Sequence, residues 1–318
     1  MPEQTASFAR NVKEEVARLE WEDERKRPFL SAYFRINGAL HIGNGHESLL
    51  LSTESAQIAK VLYSFVTSLY GVPARFAYTK GMHFRKRVQY HVLLDEPDYL
   101  LGDLEVDYFS GKIPQNVVKG DSLASAYLTG AFLAGGSVND PHSTNYHLEI
   151  AVNDEQYARW LMHLFNKVQN NHFDAKMTKR RKQWIVYLKK SEQIADFLIL
   201  MGANDSCLHF ENVRVDRDFA NNSNRLNNLD TANFAKTMKA SERQKKEVAY
   251  FIEEVGLENI MNPKMRLLME LRLSHEDASL EELANLMSEE LASTVTKSNV
   301  NHLFRAIHQK YEETHGTK

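Results

Sequence analysis

Apolar positions fall into the same helical pattern twice in the first two hundred residues. Ser31–Leu40 reads SAYFRINGAL and Thr129–Val138 reads TGAFLAGGSV; at an offset of 98, Phe34 stands against Phe132 and Gly38 against Gly136. Each stretch is a short apolar helix candidate ending in small residues. Gly and Ala let backbones approach, so each helix can pack closely against its copy. The pattern then changes to strands. A turn at Gly43, Asn44 and Gly45 precedes LLLSTES from Leu49, and NDPHSTN precedes LEIAVND from Leu148. Both read as hairpin strands.

Helices follow at Ile58–Gly71 and Tyr157–Gln169, with one stripe of Val61, Leu62, Phe65 and Leu69, and another of Trp160, Leu161, Leu164 and Val168. Apolar residues three and four apart define such a stripe. Two strand candidates close each copy: ARFAYTKG with KRVQYHVLL, and HFDAKMTKR with KQWIVYLKK. The unit is α-β-β-α-β-β, written twice, with a final helix SEQIADFLILMG. The expectation is an α+β duplicated domain over residues 1–203, with halves of about 1–118 and 119–203 joined near SGKIPQNVVKG. Such a repeat can be a scaffold without chemistry. Its paired helices could equally set two saddle-shaped sheets side by side, suited to lying along a duplex.

The pattern changes again after Met201. Residues 204–226 have no long apolar stripe, and six Asn lie between Asn212 and Asn228. This reads as a linker, with ENVRVDRD as a short ordered element at most. Asn is a common turn residue, and a run of Asn and Arg can also face phosphates. An all-α domain is expected over 227–318. Its first helix runs from about Asp230, a candidate cap, to Val255, with Gly256 placed to end it. Lys236, Lys239, Arg243, Lys245 and Lys246 oppose Glu242 alone within KTMKASERQKK.

Three shorter helices follow. Asn262-Pro263 caps MRLLMELRLSH, Ser279 and Glu282 have capping-box spacing, and Thr296 can cap KSNVNHLFRAIHQKYEE after a turn within SEELASTV. Val300, Leu303, Phe304 and Ile307 form the inward face of the last helix. Two helices joined by a turn after a leading helix make a helix-turn-helix candidate, and the last is its recognition helix by order. Its outward residues are Lys297, Ser298, Asn301, His302 and Arg305. Lys and Arg neutralise phosphate, and Asn can bond bidentately to adenine. A capping or dimerisation bundle would show the same helical pattern.

Composition adds limits. The 318 residues are 43% hydrophobic and 25% charged with a net charge of −3, so the chain can bury sizeable cores and global charge does not advertise nucleic acid. A single Cys207 excludes a disulfide within the chain. The acid-bearing N-terminus has no apolar core like that of a signal peptide, and no stretch approaches the ~18 apolar residues of a spanning helix. A soluble cytoplasmic protein is expected, with no membrane partner. Charge placement is more telling. Ala175–Lys190 holds seven Lys or Arg and no acid, including Lys179, Arg180, Arg181 and Lys182 at a hairpin. Arg85, Lys86 and Arg87 sit at a similar place in the first copy. These are candidate phosphate contacts, or solvated hairpin tips, or a surface for a protein partner. Thirteen His show no metal-ligand grouping, and no phosphate loop or nucleophilic triad can be argued. No catalytic residue, metal or cofactor is assigned.

The two helix segments resemble degenerate LAGLIDADG motifs of homing endonucleases. In those enzymes each motif helix ends in an acid that holds a divalent metal. Here the ends read Ile36-Asn37-Gly38-Ala39 and Ala134-Gly135-Gly136-Ser137, without Asp or Glu. Hard anionic oxygens are what metal-assisted hydrolysis requires, so a metal-dependent endonuclease is the weaker alternative. The whole chain resembles the WhiA family of bacterial DNA-binding regulators. The supporting stretches are SFARNVKEEV, YLTGAFLAGGSVNDP, NRLNNLDTANFAKTM, and ASLEELANLM with TKSNVNHLFRAI.

The resemblance implies a LAGLIDADG-like N-terminal domain without nuclease activity and a C-terminal helix-turn-helix. It implies a transcriptional regulator, linked to sporulation in mycelial actinobacteria and to cell division and chromosome segregation in relatives. Double-stranded DNA is the expected partner and the nucleoid the expected location, with a protein partner open for the N-terminal domain. An architectural or ligand-binding scaffold is the other reading. Lys297, Ser298, Val300, Asn301 and His302 match the family's recognition-helix start. The family usually has Gly where this chain has Asn299 and commonly Arg where it has Leu303, which bears on target and affinity. It has Asn-Cys where this chain has Asn227-Asn228, so no role of that Cys transfers.

Overall fold

The computed structural model describes residues 7–43, 46–80, 88–95 and 97–315. It divides into two units, Met1–Arg217 and Asp218–Lys318.

The first unit opens with α1 (Phe8–Val16) and α2 (Asp23–Asn37). A hairpin of β1 (Gly38–Gly43) and β2 (His46–Thr53) leads to α3 (Ala56–Tyr70), then to β3 (Ala74–Lys80) and β4 (Val88–Asp95). After α4 (Asp98–Asp103) and one 3-10 turn at Asn116–Val118, the plan repeats as α5 (Asp121–Gly135), β5 (Gly136–Val138), β6 (Leu148–Val152), α6 (Glu155–Asn171), β7 (Lys176–Arg180) and β8 (Gln183–Leu188). α7 (Ser191–Leu200) closes it. The sheets have matching orders, β1-β2-β4-β3 and β5-β6-β8-β7, with every pairing antiparallel. The duplication read from the sequence is therefore a duplication of topology.

Local chemistry sets the helix ends. The Ser55 hydroxyl accepts from the Ile58 N–H at the start of α3, and Asp154 accepts from the Tyr157 N–H at the start of α6. α3 stops at Gly71, whose φ of 62° needs no Cβ to be accommodated. Strand alternation then turns one face of each sheet inward. Leu49 and Leu51 of β2, and Leu148, Ile150 and Val152 of β6, are buried. Each such side chain contributes about 1.5–3 kcal/mol relative to an exposed one.

α2 and α5 are the spine of the unit. Phe29, Leu30, Tyr33 and Phe34 of α2 and Tyr127, Leu128, Ala131 and Phe132 of α5 are excluded from solvent. A Cβ at Gly130 would lie 2.2 Å from the Phe29 carbonyl oxygen, so the two backbones touch there. This backbone contact lies inside the helices, at Gly130, while at the terminal cluster a Cβ on Gly135 would lie 3.0 Å from the Ile36 side chain. The buried Tyr127 and Tyr157 hydroxyls satisfy each other at 2.8 Å.

One expectation is corrected in its conformation: residues 204–226, read as a loop-like linker, are helical, with α8 running from Asn204 to Glu254, and the division between the two units falls within them. Asp230 is therefore an interior helical residue and not a cap. Asn suits turns, yet its helix penalty relative to Ala is only about 0.7 kcal/mol, and nothing in 204–226 breaks a helix as Pro or Gly would. α1 was also not legible as an element. It buries Phe8, Val12 and Val16, each four residues from the next.

The second unit continues with a 3-10 turn at Leu257–Asn259, α9 (Pro263–Ser274), α10 (Leu280–Glu290) and α11 (Lys297–His315). Its core joins Val248 and Phe251 of α8 to Leu268, Leu283, Met287, Val300, Phe304 and Ile307. Arg272 is buried beside it, donating to the Ala278 carbonyl at 2.7 Å with its guanidinium 5.4 Å from the Phe304 ring centre. Burial lowers the pKa of this guanidinium.

Candidate nucleic-acid interface

The helix-turn-helix is assembled by caps. Asn262 accepts from the N–H groups of Lys264 and Met265, with Pro263 opening α9. Ser279 and Glu282 form a reciprocal capping box on α10. Ser288 holds the turn, donating to the Ala284 carbonyl at 2.7 Å and accepting from the Val295 N–H at 2.9 Å. At the start of α11 the Asn299 side chain accepts from the Thr296 N–H at 2.9 Å, while the Thr296 hydroxyl accepts from the Asn299 N–H at 3.3 Å. Asn299 thus completes a reciprocal cap, the work usually done by Glu or Gln.

Core packing fixes which face of α11 looks outward. Val300, Phe304 and Ile307 are buried, and Leu303 packs partly against the same core. Lys297, Ser298, His302 and Arg305 are exposed, and Asn301 is half-buried. The five residues share the solvent-facing side at the N-terminal end of the helix. On α8, Lys236, Lys239 and Arg243 are exposed. Arg243 lies 3.6 Å from the buried Glu247 carboxylate, which His308 contacts at 2.7 Å. Lys245, by contrast, is tied to Glu276 at 2.8 Å.

The basic hairpin of the first unit is only partly available. Lys179, Arg180, Arg181 and Lys182 are exposed, with Arg181 in the left-handed region at φ 58° at the turn. Arg180, however, grips Glu149 bidentately at 2.5 and 2.9 Å. Burial pushes the Glu149 carboxyl up, but hydrogen bonds from Arg180 and His147 outweigh it and hold the group below its usual range. Arg180 is therefore paired with Glu149 while its side chain stays more than half exposed. Lys179 sits 5.6 Å from the Trp184 ring centre, a cation–π distance. Arg85, Lys86 and Arg87 lie outside the described residues.

The paired helix ends, residues 36–39 and 134–137, carry no Asp or Glu of their own. The Asn37 amide donates to the Ala134 carbonyl at 3.5 Å, and its oxygen accepts from the Ser52 N–H at 3.3 Å. At the other end, a Cβ on Gly135 would lie 2.6 Å from the Ala151 carbonyl oxygen, so a side chain there requires a backbone shift. Asp140 is used in its turn, accepting from the His142 N–H at 2.9 Å. Among the described residues, no three of His, Cys, Asp and Glu are grouped to hold a metal ion. What the sequence did not signal is Lys13. It donates to the Leu133 carbonyl in the last turn of α5 at 3.1 Å, and burial lowers its pKa to about 8 against the opposing pull of Glu54. No local motif marks a residue brought in from 120 positions away.

A duplicated LAGLIDADG-like fold carrying a C-terminal helix-turn-helix defines the class, a DNA-binding protein. No helix among the described residues is long and apolar enough to cross a membrane. Family descriptions agree segment by segment. The WhiA N-terminal LAGLIDADG-like domain matches residues 23–106, the WhiA LAGLIDADG-like domain 124–220, and the WhiA C-terminal HTH domain 223–311. A probable cell division protein WhiA of Lactobacillus acidophilus is 37% identical over 309 residues, covering 96% of this chain and 97% of that protein. One from Staphylococcus carnosus is 36% identical over 311 residues, covering 95% and 96%. The chain belongs to the WhiA family. The fold also matches the full-length crystal structure of WhiA from Thermatoga maritima, with TM-score 0.59, 21% identity and coverage of 98% and 99%.

Proposed function

We propose that this protein is a transcriptional regulator that reads duplex DNA through α11. The observation that carries this reading is the exposed set Lys297, Ser298, His302 and Arg305, with Asn301 beside them, at the leading end of a capped recognition helix. Two cations supply phosphate neutralisation, and Asn301 supplies a bidentate donor and acceptor for a base edge. Lys236, Lys239 and Arg243 on α8, and Lys179, Arg181 and Lys182 on the first unit's hairpin, add backbone contacts, with Arg180 a weak contributor because of Glu149. Relatives that carry the name of cell division proteins support a role in the cell cycle, with the nucleoid as its site.

The LAGLIDADG-like unit acts in this reading as a non-cleaving platform. The amide of Asn37 and the crowded Gly135 supply no anionic oxygen for a metal at the helix ends. The test is genome-wide mapping of bound sites for the wild type and for Lys297→Ala/Asn301→Ala/Arg305→Ala. Sharp sites near promoters that vanish in the variant are expected. Sites unchanged by the variant would refute reading through α11. Nicking of supercoiled plasmid by the purified protein with Mg²⁺ would refute the non-cleaving platform.

A further inference from the structure

Because residues 204–226 are helical and not a loop, the Asn-rich segment acquires a geometry. Asn221, Arg225, Asn228 and the small Ala232 are followed on α8 by Lys236, Lys239, Arg243 and Lys246. The steps between these eight are four, three, four, four, three, four and three residues, which is the repeat of one α-helical face. Asn224, three residues after Asn221 and four before Asn228, flanks the same face. All nine are exposed. The acids between Asn221 and Lys246 are Asp230 and Glu242. At 100° per residue Asp230 lies on the opposite side of the helix, and Glu242 stands at the edge of the cationic half. Among the described residues, Arg243 is the member of the set with an ion-pair partner, Glu247. Within residues 221–254 the buried Ser241, Gln244, Val248 and Phe251 lie on the far side and the buried Glu247 borders the stripe beside Arg243, while Cys207, Phe210 and, toward its edge, Val213, earlier on α8, are buried along the azimuth that the stripe continues. No packing requirement accounts for the composition of the outward face.

We infer that this face of α8 is a second DNA-reading surface, an inference that rests on duplex binding by the protein. The Asn-rich half, from Asn221 to Ala232, is about 16 Å long, the rise of about five base pairs, and fits a stretch of major groove. The amides of Asn221, Asn224 and Asn228 can each offer a donor and an acceptor to a base edge, with Arg225 able to bond bidentately to guanine. Ala232 lets the helix approach closely and can meet a thymine methyl. The Lys/Arg half carries no outward-facing amide and suits the phosphates where a straight helix leaves the curved groove. The gathering of amides in one half, with Arg225 among them, and of four cations in the other distinguishes this surface from a general basic patch.

The two halves make different predictions in one experiment. Full-length protein is titrated against a short duplex from one mapped site, and against its scrambled version, over a range of salt. Asn221→Ala/Asn224→Ala/Asn228→Ala is expected to weaken the mapped duplex by about tenfold or more and the scrambled one much less, with the salt slope unchanged. Lys236→Gln/Lys239→Gln/Lys246→Gln is expected to weaken both and to flatten the slope of log affinity against log salt by about 2–3. All six positions are exposed, and matched far-ultraviolet circular dichroism and melting temperature verify the fold. If the wild type binds, the α11 triple variant fails to bind, and both α8 variants match the wild type within twofold, this inference is wrong and reading through α11 stands. If the α8 variants lose binding while the α11 variant keeps it, the reverse holds. A wild type that binds neither duplex refutes both.

Discussion

Replacing Gly130 by Ala tests the contact on which the duplicated unit is built. In an open helix interior this change stabilises by about 1 kcal/mol, because Ala restricts the unfolded chain and Gly does not. Here the new methyl would stand 2.2 Å from the Phe29 carbonyl oxygen and 2.9 Å from its carbonyl carbon and Cα. All three atoms are backbone, so no side chain can rotate away. α2 and α5 must separate by about 1 Å, and a gap of that size forfeits a quarter to a half of each contact's dispersion well. The contacts at stake include Phe29, Tyr33, Phe34, Tyr127 and Phe132, each almost fully buried. Overpacking of this kind costs about 1–3 kcal/mol or somewhat more, which exceeds the propensity gain. Set against the propensity gain, the net expectation is destabilisation by up to about 2 kcal/mol, or a fall of up to roughly 8 °C in the melting temperature of a unit this size. Calorimetric melting of the full chain reads this directly. A melting transition of the first unit at or above the wild-type temperature would refute the close approach of the two backbones.

Three other perturbations follow from the same packing. Lys13 has its pKa lowered to about 8, so between about 8 and 10.5 the unfolded chain binds the proton that the folded chain has released, and stability contributed at this site rises with pH over that window. Lys13→Met should therefore gain stability relative to wild type at pH 7 and lose that advantage by pH 10, and denaturant curves showing a pH-independent difference would contradict the burial. Asn299→Gly removes the acceptor for the Thr296 N–H and adds a helix penalty, an expected loss of about 1–2 kcal/mol that hydrogen exchange at the start of α11 would register. Because Glu149 holds Arg180, Arg180→Ala should weaken DNA binding less than Lys182→Ala, and equal or greater loss in a binding titration would show that the ion pair opens on DNA.

Much of this molecule was legible because its information is periodic or local. The 98-residue offset between Phe34 and Phe132 exposed the duplication, and two-residue and 3.6-residue periods separated strands from helices. The Ser279/Glu282 box, the Asn262-Pro263 start and Gly71 mark ends through contacts within a few residues. The outward set on α11 followed from Val300, Phe304 and Ile307, since burying one face of a helix exposes the other. The loop reading failed for a related reason. Asn212–Asn228 is polar around much of the helix, so no apolar stripe announced α8, and a weak propensity left loop and helix nearly balanced.

What the sequence alone determined is therefore the repeat, the caps and the faces of amphipathic helices, all of which depend on neighbours a few residues apart or on a pattern written twice. Only the tertiary structure decided that Gly130 meets the Phe29 backbone, that Lys13 lies against the end of α5, and that Glu149 pairs with Arg180. These pairs are separated by 31 to 120 residues, and no spacing rule encodes a distance in space between them. Contact energies fall off within a few ångströms, so which residues share charge or crowd one another is a property of the packed chain.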